Sequence, residues 1–222
     1  MESLLESWPS DFNEAKQIQL ALAQKVDIQQ HVLEPKLIAG VDVGLLDQGQ
    51  TIRAVVTYHD ATSAELLDYK VATEPCRFPY VPGYLSFREL PAVLKAFSEF
   101  NHRPDLVLCD GQGIAHPRGF GIACHLGVLL DLPTIGVAKS RLVGEFVEPG
   151  DARGSRTKLS YRGKIVGSVL RTRDKIKPLF VSPGHRITIE QSVDWVLKLG
   201  RGLKLPEPTR WADKIASNRN FK

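Results

Sequence analysis

No stretch of this 222-residue chain approaches the ~18 consecutive apolar residues of a membrane span. The opening MESLLESWPSDF is acidic where a secretory leader carries a basic segment and an apolar run, so the expectation is a cytoplasmic protein with no membrane partner. Cysteine is scarce: Cys76, Cys109 and Cys124 show no C-x-x-C spacing, which argues against a disulfide framework and fits reduced thiols used as small core groups. Nucleotide-binding and hydrolase templates are missing too. There is no G-x-x-x-x-G-K-[ST], H-E-x-x-H or G-x-S-x-G, and Gly111-Gln112-Gly113 has no third glycine at fingerprint spacing. With no internal repeat, low-complexity segment or dividing linker, residues 1–222 are expected to form a single domain.

What is present is an ordinary globular composition, 43% hydrophobic and 24% charged, with an uneven charge distribution. Residues 1–138 carry 10 Lys+Arg against 17 Asp+Glu, a net of −7, whereas residues 139–222 carry 19 against 8, a net of +11. An asymmetry of that size points to an anionic partner for the second part.

Hydrophobic periodicity predicts the elements. Asp11 and Glu14 have capping-box spacing, and Ala15, Ile18, Leu22 and Val26 fall on one face of a helix reaching residue 29. Three strands follow over 37–44, 53–59 and 64–72, joined by short polar turns that suit hairpins. A helix over 86–100, a strand over 105–110, a helix over 122–131 and a strand over 133–137 come next. The basic region holds strands over 164–171 and 178–182, then helices capped by Thr188 with Gln191 and opened by Pro208, the last reaching Arg219. Three hairpin-linked strands followed by helix–strand alternation give an α/β protein, a mixed sheet flanked by helices: the arrangement of the ribonuclease H-like fold. In that arrangement the first and fourth strands are neighbours.

Two acids stand out. Asp42 interrupts the apolar strand Ile38-Ala39-Gly40-Val41-Asp42-Val43, and a carboxylate in such a strand is costly unless paired or bound to a cation. Asp110 ends Val107-Leu108-Cys109-Asp110 before Gly111, where open α/β sheets place their sites. Each alone also reads as a strand-end or Asp-Gly turn residue. Together on adjacent strands they call for a hard divalent cation, Mg²⁺ or Mn²⁺. Glu89 in Ser86-Phe87-Arg88-Glu89 also fits a capping box, and Asp213 also fits a solvated helix position. Pro79-Tyr80-Val81-Pro82 is a stiff loop whose tyrosine suits stacking on, or wedging between, bases. His116 and Lys139 are placed to neutralise phosphate or to lie on the surface.

Taken in order, Gly40-Val41-Asp42, the Pro79–Gly83 loop, Ser86–Glu89, Asp110–Gly113, His116–Arg118, Pro133–Lys139 and Pro206–Arg210 resemble the endonuclease V family over about residues 12 to 219. The resemblance implies a ribonuclease H-like, Mg²⁺-dependent enzyme, with Mn²⁺ as a substitute. Such an enzyme recognises hypoxanthine (deoxyinosine) in DNA and cuts the second phosphodiester bond 3′ to it, leaving 3′-hydroxyl and 5′-phosphate ends. Inosine in RNA is a second candidate substrate, and a monomer is expected. By position, Asp42 and Asp110 resemble the direct metal ligands and Glu89 the acid that holds a metal-bound water. Asp213 falls where members carry His or Asp. Pro79, Tyr80, Val81 and Pro82 resemble the wedge, Gly83, Leu85, Gly111 and Gly113 the base pocket, and Lys139 and His116 residues near the scissile phosphate. Val81 stands where many members have Ile. Three alternatives remain at this level: another ribonuclease H-like nuclease acting on junctions or hybrids, a non-catalytic nucleic-acid-binding module, or an enzyme of small nucleotides.

Overall fold

The computed structural model describes residues 8, 9, 11–30, 32 and 34–218. Chain order is α1 (Phe12–Ala23), β1 (Leu37–Leu46), β2 (Thr51–Asp60), β3 (Leu66–Pro75), α2 (Leu85–Ser98), β4 (Leu106–Asp110), α3 (Ile122–Leu130), β5 (Thr134–Ala138), β6 (Arg156–Tyr161), β7 (Lys164–Leu170), β8 (Leu179–His185), α4 (Ile189–Leu199) and α5 (Glu207–Ser217). The strands form one eight-stranded sheet in the order β3-β2-β1-β4-β5-β8-β7-β6. β1 is antiparallel to β2 and parallel to β4, so the expected mixed sheet is found with the first and fourth strands side by side.

Alternation along the strands splits the core between the two faces of the sheet. Ala39, Val41, Val107 and Cys109 pack with Leu90, Val93 and Leu94 of α2 and Ile122 and Leu126 of α3. On the opposite face Ile38, Leu106, Leu108, Ile135 and Val137 pack with Val193, Val196 and Leu199 of α4. Val55 packs there with Ala212, Ile215 and Ala216 of α5. Asp42 and Asp110 follow the period of Ile38 and Leu108, so they too belong to the face that carries α5.

That helix lies against β1 at backbone distance. A Cβ on Gly40 would stand 2.1 Å from the Pro208 carbonyl oxygen, and one on Gly44 would stand 2.5 Å from that of Ala216. Only glycine at these two positions, flanking Asp42 on one face, leaves room for α5. At its far end α5 is held by buried Arg53 of β2, whose Nη1 donates to the carbonyls of Ile215 (2.5 Å) and Asn218 (3.0 Å).

Several boundaries differ from expectation, each for a local reason. The first helix is capped by Asp11, whose carboxylate accepts from the N–H groups of Asn13 and Glu14, but it ends at Ala23. Beyond it Asp27 is tied to the end of β8: its N–H donates to His185 Nδ1 and its carbonyl accepts from the N–H of Arg186. Val26 therefore lies past the helix. The second helix starts at Leu85 with Tyr84 as its cap, so Ser86 is inside it and the capping-box reading of Ser86 with Glu89 fails. Thr188 caps α4 through the N–H of Gln191, as expected. Strand β6 has no counterpart among the expected elements, because only Leu159 in Arg156–Tyr161 is buried and no apolar alternation marks it. The expected end of the last helix, Arg219, lies outside the described residues.

Gly40→Ala is expected to lower stability by ~1–3 kcal/mol, because the added methyl forces α5 off β1. Urea unfolding checks this through a lower midpoint at an unchanged slope.

Candidate metal centre and nucleic-acid cleft

The parallel register pairs Val41 with Cys109, which sets the next residues beside each other, Asp42 midway along β1 and Asp110 at the carboxyl end of β4. The second turn of α5, held over Gly40 and Gly44, brings in Asp213. One carboxylate oxygen from each of Asp42, Asp110 and Asp213 lies within 4.8 Å of the others. Lys139, just past β5, closes the group: its Nζ donates to Asp110 Oδ2 and to Asp213 Oδ1, each at 2.6 Å.

The electrostatics of this group are unbalanced. Burial and then the Asp110 charge push the Asp42 carboxyl up to about 8, against the pull of Lys139. Glu89, in the second turn of α2 and nearly buried, is likewise pushed up to about 8, by burial first and then by Asp42 and Asp110. For Lys139 burial acts against the charged form, but its hydrogen bonds to Asp110 and Asp213 outweigh it and raise its pKa. The ammonium thus satisfies two carboxylates and leaves Asp42 and Glu89 in surroundings that disfavour ionisation. An all-oxygen donor set with excess negative charge fits a hard divalent cation. Asp42, Asp110 and Asp213 could hold it, with Glu89 behind them.

Asp42, Glu89 and Asp110 open into a cleft of about 430 Å³ whose lining also includes Tyr80, Val81, Pro82, Gly83 and Leu85 and Gly111, Gln112, Ile122 and Lys139. Tyr80 is 68% exposed at its rim, an apolar ring held out into solvent between two prolines. Gly83 adopts a φ of 84°, and a Cβ there would meet Arg118 Nη2 at 2.8 Å. Gly111 also has a positive φ, 137°, and its Cβ would meet the Ile122 side chain at 2.7 Å. Both glycines let backbone line the cleft directly. Gly113 is placed differently: its N–H donates to Ser182 Oγ at 2.8 Å and a Cβ would collide with the Pro183 carbonyl oxygen at 2.0 Å, so it seats the turn on β8. Pro79 precedes the wall without lining it.

His116 lies in the cleft wall beside Gly83, not with Lys139. Burial and the Arg118 charge lower its pKa to about 4, so it is neutral near pH 7. Its Nδ1 accepts from the Arg118 N–H at 3.2 Å, which assigns the ring proton to Nε2. It is therefore a hydrogen-bond donor and not a cation.

Some cleft residues carry no sequence signal of their own. Arg141 and Leu142 line it in the segment that follows β5 and Lys139. Gln112 donates from Nε2 to the Ser140 carbonyl at 3.0 Å. Its Oε1 is buried and, among the described residues, has no hydrogen-bond partner, an arrangement that favours a ligand bringing a donor.

The endonuclease V family model matches residues 20–214. The chain belongs to the endonuclease V family. The endonuclease V of Xanthomonas campestris pv. campestris (strain B100) is 48% identical over 220 residues, covering 99% of this chain and 93% of the relative. The crystal structure of Endonuclease V from Streptomyces avermitilis superposes with a TM-score of 0.90 at 40% identity, covering 94% of this chain and 92% of that one. Endonuclease V of Ciona intestinalis, solved with a 24mer DNA containing an inosine followed by a ribo-adenosine, gives a TM-score of 0.81 at 24% identity, over 92% of this chain and 95% of that one. This chain therefore has the ribonuclease H-like fold and is a nuclease acting on DNA, from a family of metal-dependent nucleases, with a carboxylate triad that could hold a metal. Among its described residues no helix is long and apolar enough to cross a membrane.

The raised Asp42 pKa sets a stability signature for the metal-free protein. In the folded protein the carboxyl is pushed up to about 8 from an ordinary 3.8, so the protonated form favours folding and stability falls as pH climbs between those values. Asp42→Asn is expected to unfold at a higher temperature than wild type at pH 8 in EDTA, by about 2–4 °C for each kcal/mol of repulsion relieved. Near pH 4 the difference should shrink. Calorimetry across that window checks both.

Proposed function

We propose that this protein is a Mg²⁺-dependent repair endonuclease that recognises deoxyinosine and hydrolyses the second phosphodiester bond 3′ to it, leaving 3′-hydroxyl and 5′-phosphate ends. Mn²⁺ substitutes for Mg²⁺, inosine in RNA is a secondary substrate, and the enzyme works as a monomer in the cytoplasm. The observation that carries this reading is the adjacency of two devices: a triad of carboxylates within 4.8 Å of one another, of which Asp42 and Asp110 line the cleft, and a proline-braced tyrosine at the rim of that cleft. Cutting and reading would then be done by different walls, which suits a cut displaced from the lesion. The inosine-bearing DNA bound by the Ciona protein supports the same substrate.

The side chains divide the work as follows. Tyr80 enters the stack and fills the space left by the extruded base, a step that costs a few kcal/mol and least for a poorly paired lesion. Backbone groups around Gly83, Leu85 and Gly111 meet the base edge, where a side chain would keep it out. Asp42, Asp110 and Asp213 would hold the divalent cation, which when bound would acidify the attacking water and offset charge on the departing 3′ oxygen. Glu89, poised behind Asp42, orients the attacking water. Lys139 shifts its ammonium from carboxylate to the phosphate as charge develops there. His116 donates from Nε2 on the reading side, and a donor on the bound nucleotide fills the open valence of Gln112 Oε1.

A single gel tests the reading. Duplex DNA with one deoxyinosine should be nicked at the second bond 3′ to the lesion with Mg²⁺ and left intact in EDTA. Asp42→Ala and Asp110→Ala should each lose ~10³-fold or more in rate. Nicking at another position, or equal nicking of undamaged, junction or hybrid substrates, would point to a different ribonuclease H-like nuclease. Affinity should fall steeply between low and moderate salt, as for any protein that tracks phosphates.

A further inference from the structure

We propose that Gln19 is a positioning residue that fixes two lining segments at the base-reading end of the cleft, at Gly83 and at Phe120, relative to each other. Gln19 sits on α1 among Ala15, Ile18 and Leu22 and is 1% exposed. Its Nε2 donates to the Gly83 carbonyl and to the Phe120 carbonyl, each at 3.1 Å. One planar amide thus joins two chain segments, far apart in sequence, that both line the cleft. The Gly83 end follows directly on the wedge loop Tyr80–Pro82, at a residue with φ 84°. The Phe120 end leads through Gly121 into Ile122, the side chain that meets Gly111.

The amide is itself held in one orientation. Its Oε1 accepts from Arg118 Nε, and Arg118 Nη2 donates to the same Gly83 carbonyl at 2.6 Å. The guanidinium in turn lies over the Tyr84 ring at 4.3 Å. Rotating the Gln19 amide would set its oxygen against two carbonyls and its NH₂ against a guanidinium, so a single arrangement survives. Both amide hydrogens and the carbonyl oxygen have partners, and each partner is in or next to a cleft wall. Gln19 never lines the cleft, so it acts through backbone that does. At Gly83 and Gly121, where no side chain separates backbone from cleft, such ties fix the position of the wall. A change of about 1 Å in placement is enough to cost orders of magnitude in rate.

This inference rests on the deoxyinosine reading, and the test keeps the two apart. Nicking rates on a deoxyinosine duplex and on the same duplex with adenine are measured, enzyme in excess, for wild type, Gln19→Met and Gln19→Glu, alongside a Mg²⁺ titration. The ratio of the two rates from one preparation cancels any loss of folded protein. Gln19→Met removes all three hydrogen bonds. Gln19→Glu keeps the acceptor for Arg118 but loses both bonds to Gly83 and Phe120. Both variants should lose ~10-fold or more of the deoxyinosine preference while the half-saturating Mg²⁺ concentration stays at the wild-type value, since Asp42, Asp110 and Asp213 are untouched. A preference equal to wild type in either variant would overturn the assignment, however much the absolute rates fall. Loss of preference accompanied by a matching shift in Mg²⁺ requirement would overturn it as well, because the effect would then reach the carboxylates. A wild type without deoxyinosine preference would instead refute the proposed function itself.

Discussion

Carboxylates forced together in partly buried surroundings repel one another, and in this protein that repulsion is built in by backbone contact. Gly40 and Gly44 let α5 rest on β1 with main chain against main chain, so Asp213 cannot withdraw from Asp42 and Asp110 without lifting a helix whose other end is held by Arg53. Parallel pairing of β1 with β4 fixes the remaining two acids. Lys139 compensates part of the charge through Asp110 and Asp213, and the raised pKa values of Asp42 and Glu89 mark what is left over. The stability surrendered at this spot is the physical reason a divalent cation should bind there: charges on nearby oxygens that destabilise the metal-free fold become ligands when a cation arrives.

The opposite end of the same cleft follows another rule. Backbone opened by glycines at positive φ forms part of its lining, and Gln19 and Arg118 behind it donate to the Gly83 carbonyl. His116 is held neutral by burial and by Arg118. A carboxylate-rich end suited to a cation, beside an end lined partly by backbone, matches two tasks, phosphodiester cleavage and base recognition, carried out on one strand. The net positive charge of residues 139–222 is only partly available to a polyanion. Buried Arg171 ties Gly150, Pro149 and Ile176, and Arg210 pairs with Glu207 at 2.5 Å. Exposed Arg141, Arg156 and Lys158 near the cleft and on β6 are free of such internal duties to a greater degree.

Much of this was legible in the sequence. Strands β1 and β4 announce themselves because an acid terminates or interrupts an apolar run, and the hairpin order of β1 to β3 makes them neighbours. Glu89 shows how local chemistry can disguise function: Ser86 and Glu89 have capping-box spacing, yet tertiary packing starts the helix one residue earlier and turns Glu89 into the cleft. Strand β6 was invisible because an edge strand with one buried residue carries no alternation. Gln19 was invisible because a glutamine within an apolar helical stripe looks like surface, and only the fold supplies the two carbonyls that justify its burial. Gly113 resembled a pocket residue by its motif, whereas its missing Cβ makes room for Pro183. Sequence spacing identifies which residues need freedom at a turn, and the neighbours across the sheet decide what that freedom is used for.

The central claim is that the Asp42, Asp110 and Asp213 cluster is a divalent-cation site completed by α5. Crystals grown with Mn²⁺ and measured at a wavelength where manganese scatters anomalously test it directly. The account predicts an anomalous peak at about 2.0–2.2 Å from carboxylate oxygens of Asp42 and Asp110, with the Lys139 ammonium moved off Asp110. A peak bound elsewhere, with Lys139 still bridging Asp110 and Asp213, would contradict it.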